Sequence, residues 1–212
     1  MMDRISSYIK TIVILSAIVW GILCLLHGIP ISIGQAYGYF ENIAAFMLFF
    51  SFIYIRWLWR WAPWEKCPRF EKHYKGELHS SYGNGIKKEF DMFVSQTLFT
   101  IDISIKTNEI TSESTTSNLM PGKNCWVLYY IYSTTPKASF SENNPMQIGS
   151  ARFEIEEIPL SFWHKLPYRK KVQKIEGTYW TNRQTIGDMQ VWKESKAELE
   201  QNSSFSEKKS HT

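Results

Sequence analysis

The sequence predicts a membrane-anchored all-β protein: two N-terminal transmembrane helices followed by a small eight-stranded antiparallel β-barrel. Three observations carry that prediction. Thr11 to Phe40 contains no Lys, Arg, Asp or Glu, and after Glu41 a second apolar run extends from Asn42 to Ile55. From Tyr74 onward the apolar period changes from helical to two, as in Phe99, Ile101, Ile103 and Ile105 alternating with Thr100, Asp102, Ser104 and Lys106. Turn signals then break the chain into short, evenly spaced segments with no long helical pattern among them. The expected organisation is a hairpin anchor over residues 1–66, a ligand-binding barrel over 67–194 and a disordered, charged tail over 195–212.

The helices come first. At about 1.5 Å per residue, roughly 20 residues span a hydrocarbon core of about 30 Å. The stretches around Ile12 to Gly28 and Tyr39 to Trp57 approach that length. A cleaved signal peptide would use Arg4 and Lys10 as its charged region, but no small-residue cleavage site follows and His27-Gly28-Ile29-Pro30 leads towards the second apolar segment. Arg4 and Lys10 precede the first helix, and Arg56, Arg60 and Lys66 follow the second. The connection Gly28 to Tyr39 has neither Lys nor Arg, so both ends are expected in the cytoplasm. Trp57, Trp59, Trp61 and Trp64 around Arg56 and Arg60 are expected at headgroup level, with Pro63 ending the helix. His27 and Glu41 flank the external turn and read as interfacial helix-end residues. Cys24, Cys67 and Cys125 form no disulfide framework, which suits a reducing compartment, and the net charge of +4 is modest.

Strands are expected near Tyr74 to Tyr82, Lys87 to Gln96, Leu98 to Thr107, Ile110 to Leu119, Cys125 to Tyr132, Gln147 to Ile158, Gly177 to Asn182 and Met189 to Lys193. Tyr82-Gly83-Asn84-Gly85 is a hairpin signal, because Asn-Gly tolerates the positive φ of a tight turn. Met120-Pro121-Gly122 and Asn143-Asn144-Pro145 mark later boundaries. A barrel of eight strands just holds one small ligand. Its lumen would be lined by alternate residues, so Thr111, Glu113 and Thr115, or Ser112, Ser114 and Thr116, face either a cavity or water.

No catalytic constellation is present: the chain lacks a phosphate-binding Gly-rich loop, H-E-x-x-H, Cys-x-x-Cys and G-x-S-x-G. His73, His79 and His164 are scattered, so no metal or cofactor is expected, and the chain reads as a binder rather than an enzyme. The clearest ligand signature is cationic and aromatic. Lys165, Arg169, Lys170, Lys171 and Lys174 precede Gly177-Thr178-Tyr179-Trp180-Thr181-Asn182-Arg183, which offers rings for stacking, hydroxyls and a guanidinium fork. A small nucleotide fits that chemistry. The lysines alone would equally suit a solvated loop or anionic lipid, whereas Arg183, near Thr181 and Thr185, is more specific.

Gln96-x-x-Phe99-x-Ile101, Leu128-Tyr129-Tyr130 and above all the run Gly177 to Gly187, read as G-x-Y-x-T-x-R-x-T-x-G, occur here behind a leading hairpin. Together they resemble the two-transmembrane, β-strand-rich effectors of bacterial CBASS anti-phage systems, whose soluble part is a minimal eight-stranded barrel. The resemblance covers residues 8 to 193. It implies that the barrel binds a cyclic di- or oligonucleotide, not a nucleic-acid polymer. Binding then promotes self-association into homo-oligomers, and the hairpins disrupt the lipid bilayer and stop growth. Carried over by position, it points to Tyr179, Thr181, Arg183 and Thr185 as ligand-side residues, and more weakly to Gln96, Ser112, Ser114 and Tyr130. Cys125-Trp126 and the basic connection Lys165 to Lys174 have no counterpart in it. Two other readings stay open at this point: a tethered lipocalin-like carrier, which needs an apolar lumen, and an envelope scaffolding protein, which needs an exposed partner surface.

Overall fold

The computed structural model of this chain describes residues 2–28, 32–62, 65, 67–81, 85, 87–123, 125–140, 145–156, 172 and 174–193. It forms two compact units, one built on the helices and one on the barrel. The Tyr82-Gly83-Asn84 turn, Pro63, Trp64, the connection from Lys165 to Lys171 and the tail beyond Lys193 lie outside the described residues.

In the first unit, α1 (Met2–His27) and α2 (Ile33–Arg56) are both long and apolar enough to cross a membrane. Both start earlier than the apolar runs alone indicate. In α2 the reason is a cap: Ser32 is extended and its hydroxyl accepts from the Gln35 N–H at 3.3 Å. Hydroxyls inside α1 are satisfied locally, Thr11 donating to the Ser7 carbonyl and Ser16 to that of Ile12. The helix α2 stops at Arg56, ahead of Pro63, and passes into a 3₁₀ turn over Leu58–Arg60. This turn corrects the expected tryptophan belt: Trp57 and Trp61 are exposed, but Trp59 is fully buried beneath the Arg60 guanidinium. Glu65 is buried too, and accepts from Tyr54 at 2.9 Å and Ser7 at 3.2 Å, which ties α1, α2 and the following segment together.

Thr97–Phe99 also belongs to this unit. Leu98 is fully buried, its N–H donates to the Ile55 carbonyl at the end of α2, and the Phe99 ring meets Tyr8 edge-on at 5.5 Å. Phe99 therefore leaves the period-two ladder to which its spacing assigned it.

The second unit is a closed barrel of eight antiparallel strands in chain order: β1 (His73–Ser80), β2 (Lys87–Gln96), β3 (Ile101–Lys106), β4 (Ile110–Pro121), β5 (Cys125–Pro136), β6 (Gln147–Glu156), β7 (Lys174–Thr181) and β8 (Ile186–Trp192). Closure through the β1–β8 pair, from Lys75↔Trp192 to Ser80↔Gly187, leaves no open sheet edge. Alternate residues point inward, and the interior has two characters. Towards the end marked by Gln96 it is filled by apolar and aromatic groups such as Met92, Leu119, Leu128, Phe153, Ile175 and Val191. Towards the end marked by Thr181 it carries hydroxyls.

Two local devices shape this wall. Four inward glycines stand directly opposite aromatic residues of the next strand: Gly76↔Phe90, Phe153↔Gly177, Tyr132↔Gly149 and Tyr179↔Gly187. A Cβ on Gly149 would lie 2.5 Å from the Tyr132 ring, and one on Gly187 would lie 2.5 Å from the Tyr179 ring. Each ring lies across the neighbouring backbone, and only glycine leaves it that space. The second device is a β-bulge between Ser114 and Thr116 in β4. It switches the inward parity from Ser112 and Ser114 to Ser117 and Leu119, and turns Thr116 outward. The β3–β4 ladder has only three register pairs, and two hydroxyls extend the seam: Ser114 accepts from the Ile103 N–H at 2.9 Å, and Ser117 donates to the Ile101 carbonyl.

Gly149→Ala should therefore destabilise the protein by about 1–3 kcal/mol through overpacking against Tyr132 and the Trp180 carbonyl. Urea unfolding midpoints check this, and an unchanged midpoint would mean that the ring does not need the space.

Candidate functional site

At the Thr181 end, hydroxyl-bearing side chains converge from four strands. Ser80 comes from β1, Ser112 and Ser114 from β4, Tyr130, Tyr132 and Thr134 from β5, and Tyr179 and Thr181 from β7. Strand alternation and closure bring them together, since they lie up to about a hundred residues apart in the chain. Ser112, Tyr130, Tyr132, Thr134 and Tyr179 are buried.

Their hydrogen bonding is uneven. Thr134 bonds both the N–H and the carbonyl of Gln147, the N–H at 3.0 Å. Tyr179 bonds the Ser80 side chain, and Thr181 and Thr185 bond each other at 2.6 Å across the β7–β8 turn. Tyr130 differs: it is 3% exposed, its ring stacks on Phe153 at 5.7 Å, and its hydroxyl has no hydrogen-bond partner among the described residues. A buried hydroxyl without a partner costs about 1–3 kcal/mol relative to a satisfied one, so folding leaves a polar group here that a guest could use.

Burial drives the electrostatics. Desolvation pushes the Tyr130 phenol far above its usual range, with Tyr132 adding to the effect, and pushes Tyr132 up likewise, with Tyr179 adding. Tyr179 is raised first by burial, against the lowering bond from Ser80, with Asp188 contributing upward. All three are neutral donors and acceptors at physiological pH. Charges sit at the rim instead. Lys88 pairs with Glu109 at 2.7 Å, and Arg183 is exposed in the β7–β8 turn, beside Gln184 with φ of 60°.

The structure thus gathers seven of the sequence's candidates at one end: Tyr179, Thr181, Arg183, Thr185, Tyr130, Ser112 and Ser114. Gln96 stands apart. It is buried at the opposite end, where its Oε1 accepts from the Phe70 N–H at 3.1 Å and its Nε2 donates to the Pro68 carbonyl at 2.8 Å. Tyr132, Thr134 and Ser80 escaped the sequence reading. The strand through Tyr130 was expected to stop at Tyr132, whereas β5 runs to Pro136, and the i, i+2, i+4 row Tyr130-Tyr132-Thr134 was the available signal.

For a phenol whose folded-state pKa is raised, the stabilising contribution is complete below the unfolded value near 10 and is lost as pH rises towards the folded value. Stability should fall by about 1.4 kcal/mol per pH unit above about pH 10 for each of Tyr130 and Tyr132, from this cause. Urea titrations at stepped pH, read beside phenolate absorbance, check it. Folded protein that ionises all its tyrosines near pH 10 without losing stability would contradict the burial.

Residues 65–207 match a family model described as the Cap15 cyclic dinucleotide receptor domain. The chain is also 31% identical over 150 residues to CD-NTase-associated protein 15 of Staphylococcus schleiferi, a match covering 68% of this chain and 73% of the relative. The family match starts after both helices and takes in every strand of the barrel. The chain belongs to the Cap15 family of CBASS effectors, and its barrel is the cyclic dinucleotide receptor domain of that family.

Proposed function

We propose that the cyclic dinucleotide enters the Thr181 end of the barrel, where bases and riboses meet the hydroxyl wall and Arg183 at the rim takes a phosphate. The observation that carries this reading is the buried Tyr130 hydroxyl, without a hydrogen-bond partner among the described residues, at the boundary between the hydroxyl-lined and apolar halves. Tyr179, Thr181, Thr185, Ser112 and Ser114 complete the ligand side. Neutral hydroxyls discriminate base edges by donor and acceptor pattern, and a guanidinium at the mouth neutralises phosphate without being buried. A hydroxyl-lined lumen also suits a polar ligand better than the apolar guest of a lipocalin-like carrier.

Gln96 takes a different part. With both amide groups bound to Pro68 and Phe70, it fastens the end of β2 to the segment that leads into β1. The reading is of a receptor without catalysis, and among the described residues no cluster of His, Cys, Asp or Glu could hold a metal.

Removing the Tyr130 hydroxyl separates ligand binding from stability. Tyr130→Phe should raise the unfolding free energy, because the unsatisfied hydroxyl disappears, yet weaken cyclic dinucleotide binding about three- to tenfold. Arg183→Ala should weaken it about tenfold to a hundredfold with little change in stability. Calorimetry and thermal melts on the same samples decide. A Tyr130→Phe protein that binds with full affinity would remove the hydroxyl from the site, and a folded Arg183→Ala protein that does so would remove the guanidinium.

For the output, we infer that both chain termini are cytoplasmic, that ligand binding favours assembled copies, and that clustered hairpins then breach the inner membrane. The distribution of Lys and Arg supports the orientation. A ligand shifts assembly only if it binds the assembled state more tightly. Vesicles carrying the full chain should leak an entrapped dye when the cyclic dinucleotide is added. Tight vesicles at saturating ligand would exclude membrane breach as the output.

A further inference from the structure

The outer surface of the barrel is not uniformly polar. On its β5–β8 side Ile131, Ile148, Trp180 and Ile186 are 45%, 57%, 44% and 60% exposed. The register makes them neighbours: Ile131 pairs with Ser150, Ser150 with Trp180, and Trp180 with Ile186, while Ile148 lies one outward position along from Ser150. Trp180 and Ile186 are direct register partners, and exposed apolar side chains gathered on one face of a folded domain point to an interaction site.

The adjoining row identifies the partner. Arg152, Thr178 and Asp188 are consecutive register partners on β6, β7 and β8. They place a cation and an anion on either side of β7, about 10 Å apart at the usual strand spacing. Under a two-fold axis running along β7, each Arg152 faces the Asp188 of a second copy, Thr178 faces Thr178, and Trp180 packs on Trp180. An isologous contact requires such self-complementarity. An axis along the strand also keeps the start of β1 at the same end of both barrels, as two chains on one membrane face require. The contact ends one row further on, where Glu176 would meet itself. There Lys174 already pairs with Glu176 at 2.6 Å, which mutes the repulsion. Arg152 also pairs with Glu154, two residues along its own strand, and its Nε donates at 3.3 Å to the phenol oxygen of Tyr129, which lies on β5 away from Thr178.

We propose that the outer β6–β8 face, centred on Thr178 and Trp180, is a two-fold interface with a second copy of this chain. The proposal deepens the assembly step above and rests on that reading for its link to ligand. The link is short: Trp180 points outward between Tyr179 and Thr181, which point into the barrel. A guest that orders the inner residues therefore orders the outer ring with them.

The test uses the full chain in vesicles at high density, without ligand and with cyclic dinucleotide, and reads cysteine cross-linking between copies. Thr178→Cys, on the axis, should cross-link about tenfold more than Asp102→Cys on the opposite wall, and more again with ligand. In the Thr178→Cys background, Arg152→Asp and Asp188→Arg should each lower the yield about tenfold, and the two together should restore most of it. Melting curves of each variant confirm folding. Equal cross-linking at both walls, or a double variant no better than either single one, overturns the interface. So does a position 178 that becomes accessible only after the chain is cut beyond Lys193, since its own last residues would then cover the face. Calorimetry on the unsubstituted chain is read separately. If ligand binds while Thr178→Cys does not cross-link, the interface falls and the ligand site stands. If no ligand binds while the axis cross-link forms, the reverse holds.

Discussion

In this barrel an aromatic ring in the wall lies flat over the neighbouring backbone, and the residue beneath it must be glycine. Four cross-strand pairs meet that condition, and three of them fall on the consecutive pairs β5–β6, β6–β7 and β7–β8. The rings of Tyr132, Phe153 and Tyr179 can thus fill a lumen of only eight strands without forcing the strands apart. The same arrangement orients the two phenols. Held over Gly149 and Gly187, the Tyr132 and Tyr179 hydroxyls join the Ser80, Ser112 and Thr134 side of the interior.

The interior has two unlike halves. The Gln96 end is packed with apolar side chains, and Gln96 and Tyr74 secure it with side-chain bonds to backbone. The Tyr74 hydroxyl donates to the Val172 carbonyl and accepts from the Glu71 N–H. The Thr181 end holds neutral hydroxyls, and that of Tyr130 has no partner among the described residues. Burying a hydroxyl costs stability unless it is bonded. A ligand that supplies the missing bonds is worth more there than in water.

Much of this was legible in the sequence. The expected strand Lys87 to Gln96 coincides with β2, and the other seven expected strands each overlap an observed one. Period-two alternation is a local property, and the local pattern won. Within the run from Gly177 to Gly187, Gly177, Tyr179 and Thr181 line one inner face, and Gly187 makes room for Tyr179. What failed depended on distant partners. Leu98 and Phe99 fit a strand by spacing but belong to the helical unit, where Leu98 is fully buried and Phe99 meets Tyr8, since tertiary packing outweighs strand propensity. The inserted residue near Thr115 reversed the parity of β4, which no alternation pattern announces. Trp59 reads as interfacial by composition, yet the 3₁₀ turn rotates it inward. Gly149 carries no signal until Tyr132 is known to lie across it.

The central claim is that ligand and hydroxyl wall meet at the Thr181 end. The most direct measurement is the response of individually assigned tyrosine ring resonances to cyclic dinucleotide. Tyr130, Tyr132 and Tyr179 should shift together on binding, while Tyr74, occupied by Val172 and Glu71 at the other end, stays in place. A shift at Tyr74 with the other three unmoved would contradict it.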